Sequence, residues 1–465
     1  MAELRNTIQK CAFLAIASVL FCVSALAQAR NPMILVPGLT GSELRDKVTK
    51  EKVWIKAFKS DKSDDIRLPI ATDITSMSDN LVAGDVIRSV EVAGVNVRDV
   101  YGGFVKRMTA AGYHEEKWDA VPAKGIDSAL YVFPYDWRLD NVLNARLLVK
   151  KIDELKTKLK RPDLKFDLVA HSMGGIISRY AAMYGDAELP TGKAVPTWAG
   201  AKDIDKVVLL GVPNEGAVSS LDAFINGFSY NGIRIDLPFL QDTSRFTAFT
   251  IPSAYELLPA PGTLKAFDER LEPVELDLYD PKTWRTYGWN PIDDDKFPDN
   301  FDLAERRIAQ PFFEAALARA KHLHEALAAS DGKPSGVTFI TVGADCKPAP
   351  DALVVYRDHL NARWKTLFKP KGFTRSDGQK VGDNDLKKVM LATGDGVVTQ
   401  RSSETKTQSG MMKVNSVLGA QPGKYFCDDH NHLAADDEIQ DYIIQVLKGD
   451  ASKPVKTVAE KTHQE

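Results

Sequence analysis

Three stretches of this 465-residue chain hold residue types that could together make a nucleophile, a base and an acid. The first runs from Lys165 to Tyr180 and reads KFDLVAHSMGGIISRY, an apolar run, a serine among small residues and a helix-like segment. A strand, a sharp turn and a helix in this order form a nucleophile elbow, whose strained centre needs small residues two positions before and after it. Here these are Ala170 and Gly174. We therefore predict that Ser172 is a nucleophile; the alternative is an ordinary strand-to-helix turn with a capping serine.

The other two stretches lie near the carboxyl terminus. Asp395 stands between two glycines, just after an apolar run that predicts a strand over Val389 to Thr393. His430 and His432 follow in the segment CDDHNHL, ahead of an amphipathic helix. The chain order serine, aspartate, histidine is that of the α/β hydrolases, in which the histidine is the base and the carboxylate holds its tautomer. A glycine-flanked aspartate is also a common turn residue, so its place in this order is what favours Asp395 as the acid.

An early glycine-rich loop could complete such a site. The apolar segment Met33 to Val36 runs directly into PGLTGS. In the hydrolase pattern, one amide that stabilises the oxyanion comes from the residue after the nucleophile, and the other comes from a loop after an early strand. The predicted donors are therefore the backbone amides of Met173 and Leu39. A simple loop would explain the same proline and glycines equally well.

Charge and ligand patterns narrow the range of partners. The chain has 60 basic and 63 acidic residues, a formal net charge of −3, so nothing predicts a nucleic-acid partner. The H-x-H pair at His430 and His432, with acidic residues beside it, could instead bind a metal. Because no further ligands follow at a defined spacing, we predict no metal and no other cofactor.

The first 29 residues predict a secretory signal peptide. Basic residues precede an apolar run, Cys11 to Ala27, which ends at a small-residue cleavage pattern. The alternative, an uncleaved membrane anchor, is less favoured because the run is short for a bilayer span. We therefore predict a periplasmic or secreted protein.

The two cysteines beyond this segment, Cys346 and Cys427, either pair in that setting or remain separate buried thiols.

Strand and helix signals alternate through the chain, and the strands are continuous apolar runs. This pattern indicates an α/β fold with a mainly parallel sheet covered by helices on both faces. The order Ser172, Asp395 and His430 matches the one expected of the α/β-hydrolase type. The predicted catalytic domain spans 30–450, with an irregular excursion at 45–99 and a cap insertion at about 217–336, and a polar tail follows at 451–465.

The two irregular regions each allow two interpretations. The excursion is either a packed subdomain, which we favour, or a lipid-surface contact made by aromatic and lysine side chains. The aromatic-rich insertion has the length of a functional cap, and an apolar cap over a serine predicts a substrate with acyl chains. Its aromatic residues could also form a core of their own.

In these features the chain resembles the lecithin:cholesterol acyltransferase family of α/β hydrolases, which includes phospholipid:diacylglycerol acyltransferases, lysosomal phospholipases and bacterial lipase-like proteins. The matching stretches, in the family's order, are VPGLTGSEL, VYGGF, AAGY, FPYDWR, AHSMGG, GVPNEG, IPSAYELLP, GDGVV and H-x-x-L. The resemblance implies Ser172 as nucleophile, Asp395 and, of the two histidines, His430 as its partners, and Leu39 and Met173 as oxyanion donors. Within the cap only PSAYELLP matches.

The resulting expectation is an exported serine acyl hydrolase that cleaves a lipid ester, phospholipid or acylglycerol, through an acyl-serine intermediate. Acyl transfer from a phospholipid to a lipid alcohol is the alternative, since it depends on how well the cap excludes water. A non-catalytic lipid-binding protein on the same scaffold and an esterase of small soluble esters are less favoured. The expected partner is a lipid substrate, with transient contact to a membrane or lipid surface, and the sequence predicts no oligomeric state.

Overall fold

The computed structural model describes residues 30–55, 66–92, 95–229, 242–330, 336–404 and 423–449. The predicted signal peptide and the predicted polar tail lie outside these ranges. Within them, no helix combines the length and the apolar character that a bilayer span requires.

A seven-stranded sheet forms the centre of the fold. Its strands in chain order are β1 (Met33–Val36), β2 (His114–Glu115), β3 (Ala129–Val132), β4 (Phe166–His171), β5 (Ile204–Leu210), β6 (Thr338–Ala344) and β7 (Lys424–Phe426). They lie in the order β7-β6-β5-β4-β1-β3-β2, and all neighbouring pairs are parallel. β1 and β4 are buried along their whole length, as expected of central strands covered on both faces. The predicted α/β fold with a mainly parallel sheet is confirmed.

Six longer helices in the described ranges accompany this sheet. In chain order they are α1 (Gly102–Ala110), α2 (Asn141–Leu159), α3 (Met173–Tyr184), α4 (Val218–Asn226), α5 (Leu303–Ala328) and α6 (Asp437–Leu447). α3 packs against both α2 and α5, while α1 and α6 contact each other. α5 begins at a capping box in which the side chains of Asp302 and Glu305 satisfy each other's backbone amides, so its start is fixed locally by sequence.

Short elements fill the connections. The shorter α-helices are Arg245–Phe249, Pro252–Tyr255, Pro281–Tyr287, Phe297–Asn300, Asp383–Met390 and Gln400–Glu404. Small antiparallel ladders join Phe228–Ser229 with Asp242–Thr243, Ala352–Arg357 with Trp364–Leu367, and Phe373–Thr374 with Lys380–Val381, and Lys265–Phe267 runs parallel to Ala352–Arg357.

The excursion near the amino terminus packs closely against the loops of the sheet. Ser42–Asp46 pairs with Lys52–Trp54 and with Leu81–Val86, and a hairpin joins Ser89–Val92 to Val95–Asp99. Trp54 is fully buried, its indole meets Trp137 edge-on with ring centroids 5.3 Å apart, and its N–H donates to the Thr40 carbonyl. These contacts agree with a packed subdomain rather than with exposure of this tryptophan.

The strand predicted over Val389–Thr393 is partly wrong. Asp383–Met390 is a helix, and the strand that follows, Leu391–Gly394, pairs antiparallel with Lys347–Pro350 outside the main sheet. The helix forms because acidic residues occupy its first turn and lysines its last turn, which suits the helix dipole, and its apolar residues share one face. Asp395 nevertheless follows the end of a strand, as predicted.

Five phenylalanines in the described part of the insertion pack together as a core of their own. The Phe249 ring contacts the rings of Phe297, Phe301, Phe312 and Phe313, with centroids 5.3 to 6.0 Å apart. Two of these partners belong to α5, the helix of the insertion that packs on α3. The alternative interpretation of these aromatic residues as internal core thus holds for this cluster.

A pair of buried carboxyl groups fastens the insertion to the start of α2. Asp140 caps α2 through the Leu143 amide and pairs with Arg319 of α5, while Glu256 accepts from the Asn141 amide. Burial, and then the charge of Asp140, raise the pKa of Glu256 well above its usual value. Burial opposes ionisation of Asp140, but the Arg319 guanidinium keeps its pKa below its usual value. Glu256 is therefore the protonated partner and Asp140 the charged one.

We predict that Glu256→Gln is at least as stable as wild type at neutral pH, because the native side chain is already neutral. The folded state holds a proton that the unfolded chain loses above about pH 4.5, so wild-type stability falls as pH rises from there toward the raised pKa of Glu256. Glu256→Gln abolishes this decline. The measurement is the melting temperature of both proteins from pH 4 to pH 8.

Asp140→Asn is the matched change of the charged partner. It removes the ion pair with Arg319, and we expect a loss of about 3 kcal/mol in the free energy of unfolding. Equal destabilisation by the two substitutions would contradict the assignment of the proton to Glu256.

A disulfide joins Cys346, just beyond β6, to Cys427, just beyond β7, with Cα atoms 5.1 Å apart. Of the two alternatives left open by the sequence, the structure has the paired cysteines. Lys347, next to Cys346, pairs with Gly394 beside Asp395, and Cys427 lies shortly before His430. The bond therefore connects the segments that carry these two predicted site residues.

We predict that the double substitution Cys346→Ala/Cys427→Ala lowers the free energy of unfolding by about 2–5 kcal/mol, because it removes a cross-link that restricts the unfolded chain. The cross-linked residues are 81 positions apart. Chemical denaturation of the variant beside oxidised and reduced wild type is the measurement. A variant as stable as the oxidised protein would show that the bond contributes nothing.

Candidate active site

Ser172 occupies a strained turn between β4 and α3. Its backbone has φ 53° and ψ −127°, a left-handed conformation that residues with a side chain rarely adopt. Its amide donates to the Leu210 carbonyl of the neighbouring strand, and its side chain is partly exposed. A Cβ on Gly174 would come within 2.5 Å of the carbonyl oxygens of Val36 and Pro37. The elbow geometry and its need for a small residue at position 174 are thus present in the structure.

The structure brings Ser172, His430 and Asp395 into one hydrogen-bonded row. His430 Nε2 lies 2.9 Å from Ser172 Oγ, and His430 Nδ1 lies 2.7 Å from Asp395 Oδ2. A carboxylate can only accept, so Nδ1 carries the proton and Nε2 presents its lone pair to the serine hydroxyl. Asp395 Oδ1 in turn accepts from the Val397 and Val398 amides. Both His430 and Asp395 are buried, and this arrangement can withdraw a proton from the serine.

His432 lies outside this row. Its Nδ1 is 2.7 Å from Asp428 Oδ2, and its side chain is exposed. With Asp436, these two residues are the group in the described ranges whose ligand atoms, all within 4.8 Å of one another, could hold a metal. Asp436 also caps α6 by accepting from the Ile439 amide, so both carboxylates already have protein partners.

The predicted oxyanion donors come from the two loops that meet at Ser172. The segment Gly38–Gly41 is a tight turn, closed by a hydrogen bond from the Gly41 amide to the Gly38 carbonyl, with Thr40 at φ 61°. A Cβ on Gly38 would lie 2.9 Å from that of Ser172, so this loop touches the nucleophile elbow. In the described part of the chain, neither the Leu39 amide nor the Met173 amide donates a hydrogen bond. Both are thus available to an oxygen on the substrate.

Two side chains that the sequence analysis did not single out also belong to the site. The Tyr101 hydroxyl accepts from the Gly38 amide at 2.9 Å and lies 2.8 Å from His171 Nδ1. His171 Nε2 lies 3.0 Å from the carbonyl oxygen of His430. The signals in the sequence were the histidine directly before the serine and the tyrosine of VYGGF, but neither signal reveals which partner it meets in space.

A mainly apolar cavity opens beside Ser172. The side chains that line it come from the glycine-rich turn, two parts of the insertion and the segments around Asp395 and His430. They include Leu39, Ala223, Phe224, Phe228, Leu257 and Val398. Phe224 and Phe228 are the predicted cap aromatics that reach this cavity. An extended apolar group can therefore be buried next to the serine hydroxyl.

The fold and the site together have the features of an α/β hydrolase with a Ser–His–Asp row. Residues 87–289 match the family model described as lecithin:cholesterol acyltransferase, and the resemblance stated from the sequence motifs is confirmed over that segment. The segment includes Ser172 but ends before Asp395 and His430, which only the fold brings to the serine.

Two solved structures and one curated protein provide further comparison. The structure titled as a Tle4–Tli4 complex has a TM-score of 0.51 at 15% identity, over 90% of this chain and 97% of the other, and shows the same fold. The propeptide form of the lipase BlEst2 from Bacillus licheniformis has a TM-score of 0.35 at 13% identity, over 90% of this chain and 51% of the other. The uncharacterized protein YJR098C of Saccharomyces cerevisiae is 22% identical over 273 residues, 58% of this chain, and the match spans 35% of its length.

We predict that Gly174→Ala lowers both stability and activity. The added methyl group would press on two backbone carbonyls of the β1 segment, which cannot rotate away, and overpacking of this kind costs about 1–3 kcal/mol. Gly192→Ala is the matched control, since a Cβ there has no neighbour within 4 Å. Melting temperature and ester turnover are measured for both. A Gly174→Ala protein that behaves like the control would refute the close approach at the elbow.

Proposed function

We propose that this protein is an exported serine acyl hydrolase that cleaves lipid esters through an acyl-serine intermediate. The observation that carries the proposal is the row Ser172 Oγ, His430 Nε2, His430 Nδ1 and Asp395 Oδ2, with contacts of 2.9 and 2.7 Å. The family match supports a lipid ester hydrolase or acyltransferase in general terms. Export rests on the predicted signal peptide.

In the first half of the proposed reaction, His430 Nε2 takes the proton of Ser172 as its oxygen attacks the ester carbonyl. The negative charge that develops on the carbonyl oxygen is stabilised by the Leu39 and Met173 amides. His430 then gives its proton to the departing alcohol oxygen, and the acyl group stays on the serine. Asp395 holds the imidazole in the required tautomer and stabilises its protonated form.

In the second half, water takes the place of the alcohol. His430 removes a proton from the attacking water, a second oxyanion forms in the same place, and the serine leaves with the proton from His430. The products are a free fatty acid and the original enzyme.

The lining of the cavity supports an acyl chain as the buried part of the substrate. Phe224, Phe228 and Leu257 present apolar surface beside Ser172, and each buried methylene of a chain contributes about 0.8 kcal/mol of binding free energy. Both phospholipids and acylglycerols carry such a chain.

Acyl transfer is the second candidate function, favoured by the family whose model matches residues 87–289. It differs from hydrolysis only in the acceptor, since a lipid alcohol replaces water in the second half of the reaction. The outcome depends on how far the apolar cavity excludes water while the acyl-serine exists.

We predict that purified protein releases fatty acid from phosphatidylcholine or a triglyceride and that Ser172→Ala and His430→Ala reduce turnover by about 10³-fold or more. His432→Ala is the matched control, because its ring contacts Asp428 and not the serine, and it should retain turnover. Activity is measured by fatty-acid release, with and without a sterol or diacylglycerol acceptor, and active serine by fluorophosphonate labelling.

The possible outcomes separate the alternatives. Preferential formation of an acylated acceptor would assign the protein as an acyltransferase. Turnover of small soluble esters that does not rise above the solubility limit of a substrate would favour a carboxylesterase. Lipid binding with no turnover of any ester and no serine labelling would replace the catalytic proposal with a binding role.

A further inference from the structure

The hydrogen bonds of Tyr101 and His171 form a continuous chain from the glycine-rich turn to the loop of His430. The chain runs from the Gly38 amide to the Tyr101 hydroxyl, from this hydroxyl to His171, and from His171 to the His430 carbonyl, with spacings of 2.9, 2.8 and 3.0 Å. Tyr101 and His171 expose only 2% and 7% of their surface. Water therefore cannot readily substitute for a missing partner.

Only one placement of the protons satisfies all three contacts. The His430 carbonyl can only accept, so Nε2 of His171 carries the proton and Nδ1 is an acceptor. Nδ1 must then receive the Tyr101 O–H, which leaves the phenol oxygen to accept from the Gly38 N–H. All three donors point the same way, an arrangement in which each bond polarises the next.

The chain keeps this state during the proposed reaction. Burial, and then the nearby His430, lower the pKa of His171 to about 3, and burial raises the pKa of Tyr101. The rings of His171 and His430 have centroids 5.2 Å apart. His171 thus remains neutral when His430 gains a proton, and no second positive charge arises beside it.

We propose that Tyr101 and His171 are positioning residues. They hold the glycine-rich turn, which carries the Leu39 amide, at a fixed position relative to His430. The inference rests on the proposed function, because it assigns the two ends of the chain to an oxyanion donor and to a base. The Gly38 amide donates to Tyr101, which anchors the Pro37–Gly38 peptide directly before the one that carries the Leu39 amide. At the other end, His171 holds the backbone of His430.

The close approach of the glycine-rich turn to the nucleophile makes such a restraint effective. The loop lies so near Ser172 that even a Cβ on Gly38 would clash with that of the serine. A displacement of the turn by about 1 Å would move the Leu39 amide off the developing oxyanion, and misplacement on that scale can cost about 10²-fold in rate.

Tyr101→Phe tests the chain by removing one oxygen atom. We expect kcat to fall by about 10- to 100-fold with KM within about threefold of wild type, because a misplaced oxyanion donor affects the transition state more than substrate binding. Tyr184→Phe is the matched control, as its buried hydroxyl also donates one hydrogen bond, to the Ala326 carbonyl at 2.8 Å. It should lose stability to a similar extent and keep its kcat.

His171 provides an independent test with a conservative variant. A glutamine at this position offers one acceptor and one donor, whereas a phenylalanine offers neither. We expect His171→Gln to retain more of the wild-type kcat than His171→Phe. In the double variant Tyr101→Phe/His171→Phe, kcat should fall little further than in the more damaging single variant, because both changes break the same chain.

Fluorophosphonate labelling of Ser172 distinguishes failure of this inference from failure of the proposed function. The reagent forms a tetrahedral adduct whose oxygen occupies the oxyanion position, so its labelling rate should fall in Tyr101→Phe in parallel with kcat. If wild type is labelled and Tyr101→Phe loses stability but keeps both rates, the two residues are structural and the inference is overturned. If wild type is neither labelled nor active, the proposed function fails and the inference fails with it.

Discussion

The close crossing of two backbone segments at Ser172 is the constraint on which the rest of the structure depends. The serine sits at φ 53° between a buried strand and a helix, and the first turn of that helix lies against the carbonyls of Val36 and Pro37. Such strain persists only where the surrounding packing fixes it. The buried parallel strands β1 and β4, paired along their length, provide that fixed frame, and the serine hydroxyl consequently projects from the sheet edge where the loops of Leu39 and His430 converge.

Hydrogen bonds between matched donors and acceptors, more than ion pairs, hold the polar groups around the serine in place. His430 is held on its ring by Asp395 and at its backbone carbonyl by His171, so both the tautomer and the location of the ring are determined. A neutral histidine and a neutral tyrosine can be buried at low cost when their hydrogen bonds are complete, whereas another charged group here would need a counter-ion. Fixed dipoles of this kind lower the reorganisation that a developing oxyanion requires.

The insertion after β5 forms an internal aromatic core and also lines the cavity beside Ser172. Its phenylalanine cluster is internal and includes residues of α5, and the buried pair of Asp140 and Glu256 joins the insertion to the start of α2. A smaller part, with Phe224 and Phe228, forms the wall of the cavity above Ser172. The residues that line the cavity are therefore connected to the rest of the fold through the contacts of the insertion.

The sequence by itself determined most strands and helices of this protein and its candidate nucleophile and acid. The tertiary structure decided which residues from distant segments contact them. The strand before Ser172 is visible in the sequence as an apolar run, and the strained turn is visible because it requires small residues on both sides of the serine. The position of Asp395 after Ser172 in the chain can be read directly. The run Val389–Thr393 was predicted as a strand although its first two residues end the helix Asp383–Met390, because a short apolar run suits either structure. The neighbours of His171, Tyr101 and Glu256 lie far along the chain. Whether His430 or His432 faces the serine depends on how their loop is anchored. Such contacts are fixed by packing between distant segments, so no local pattern could contain them.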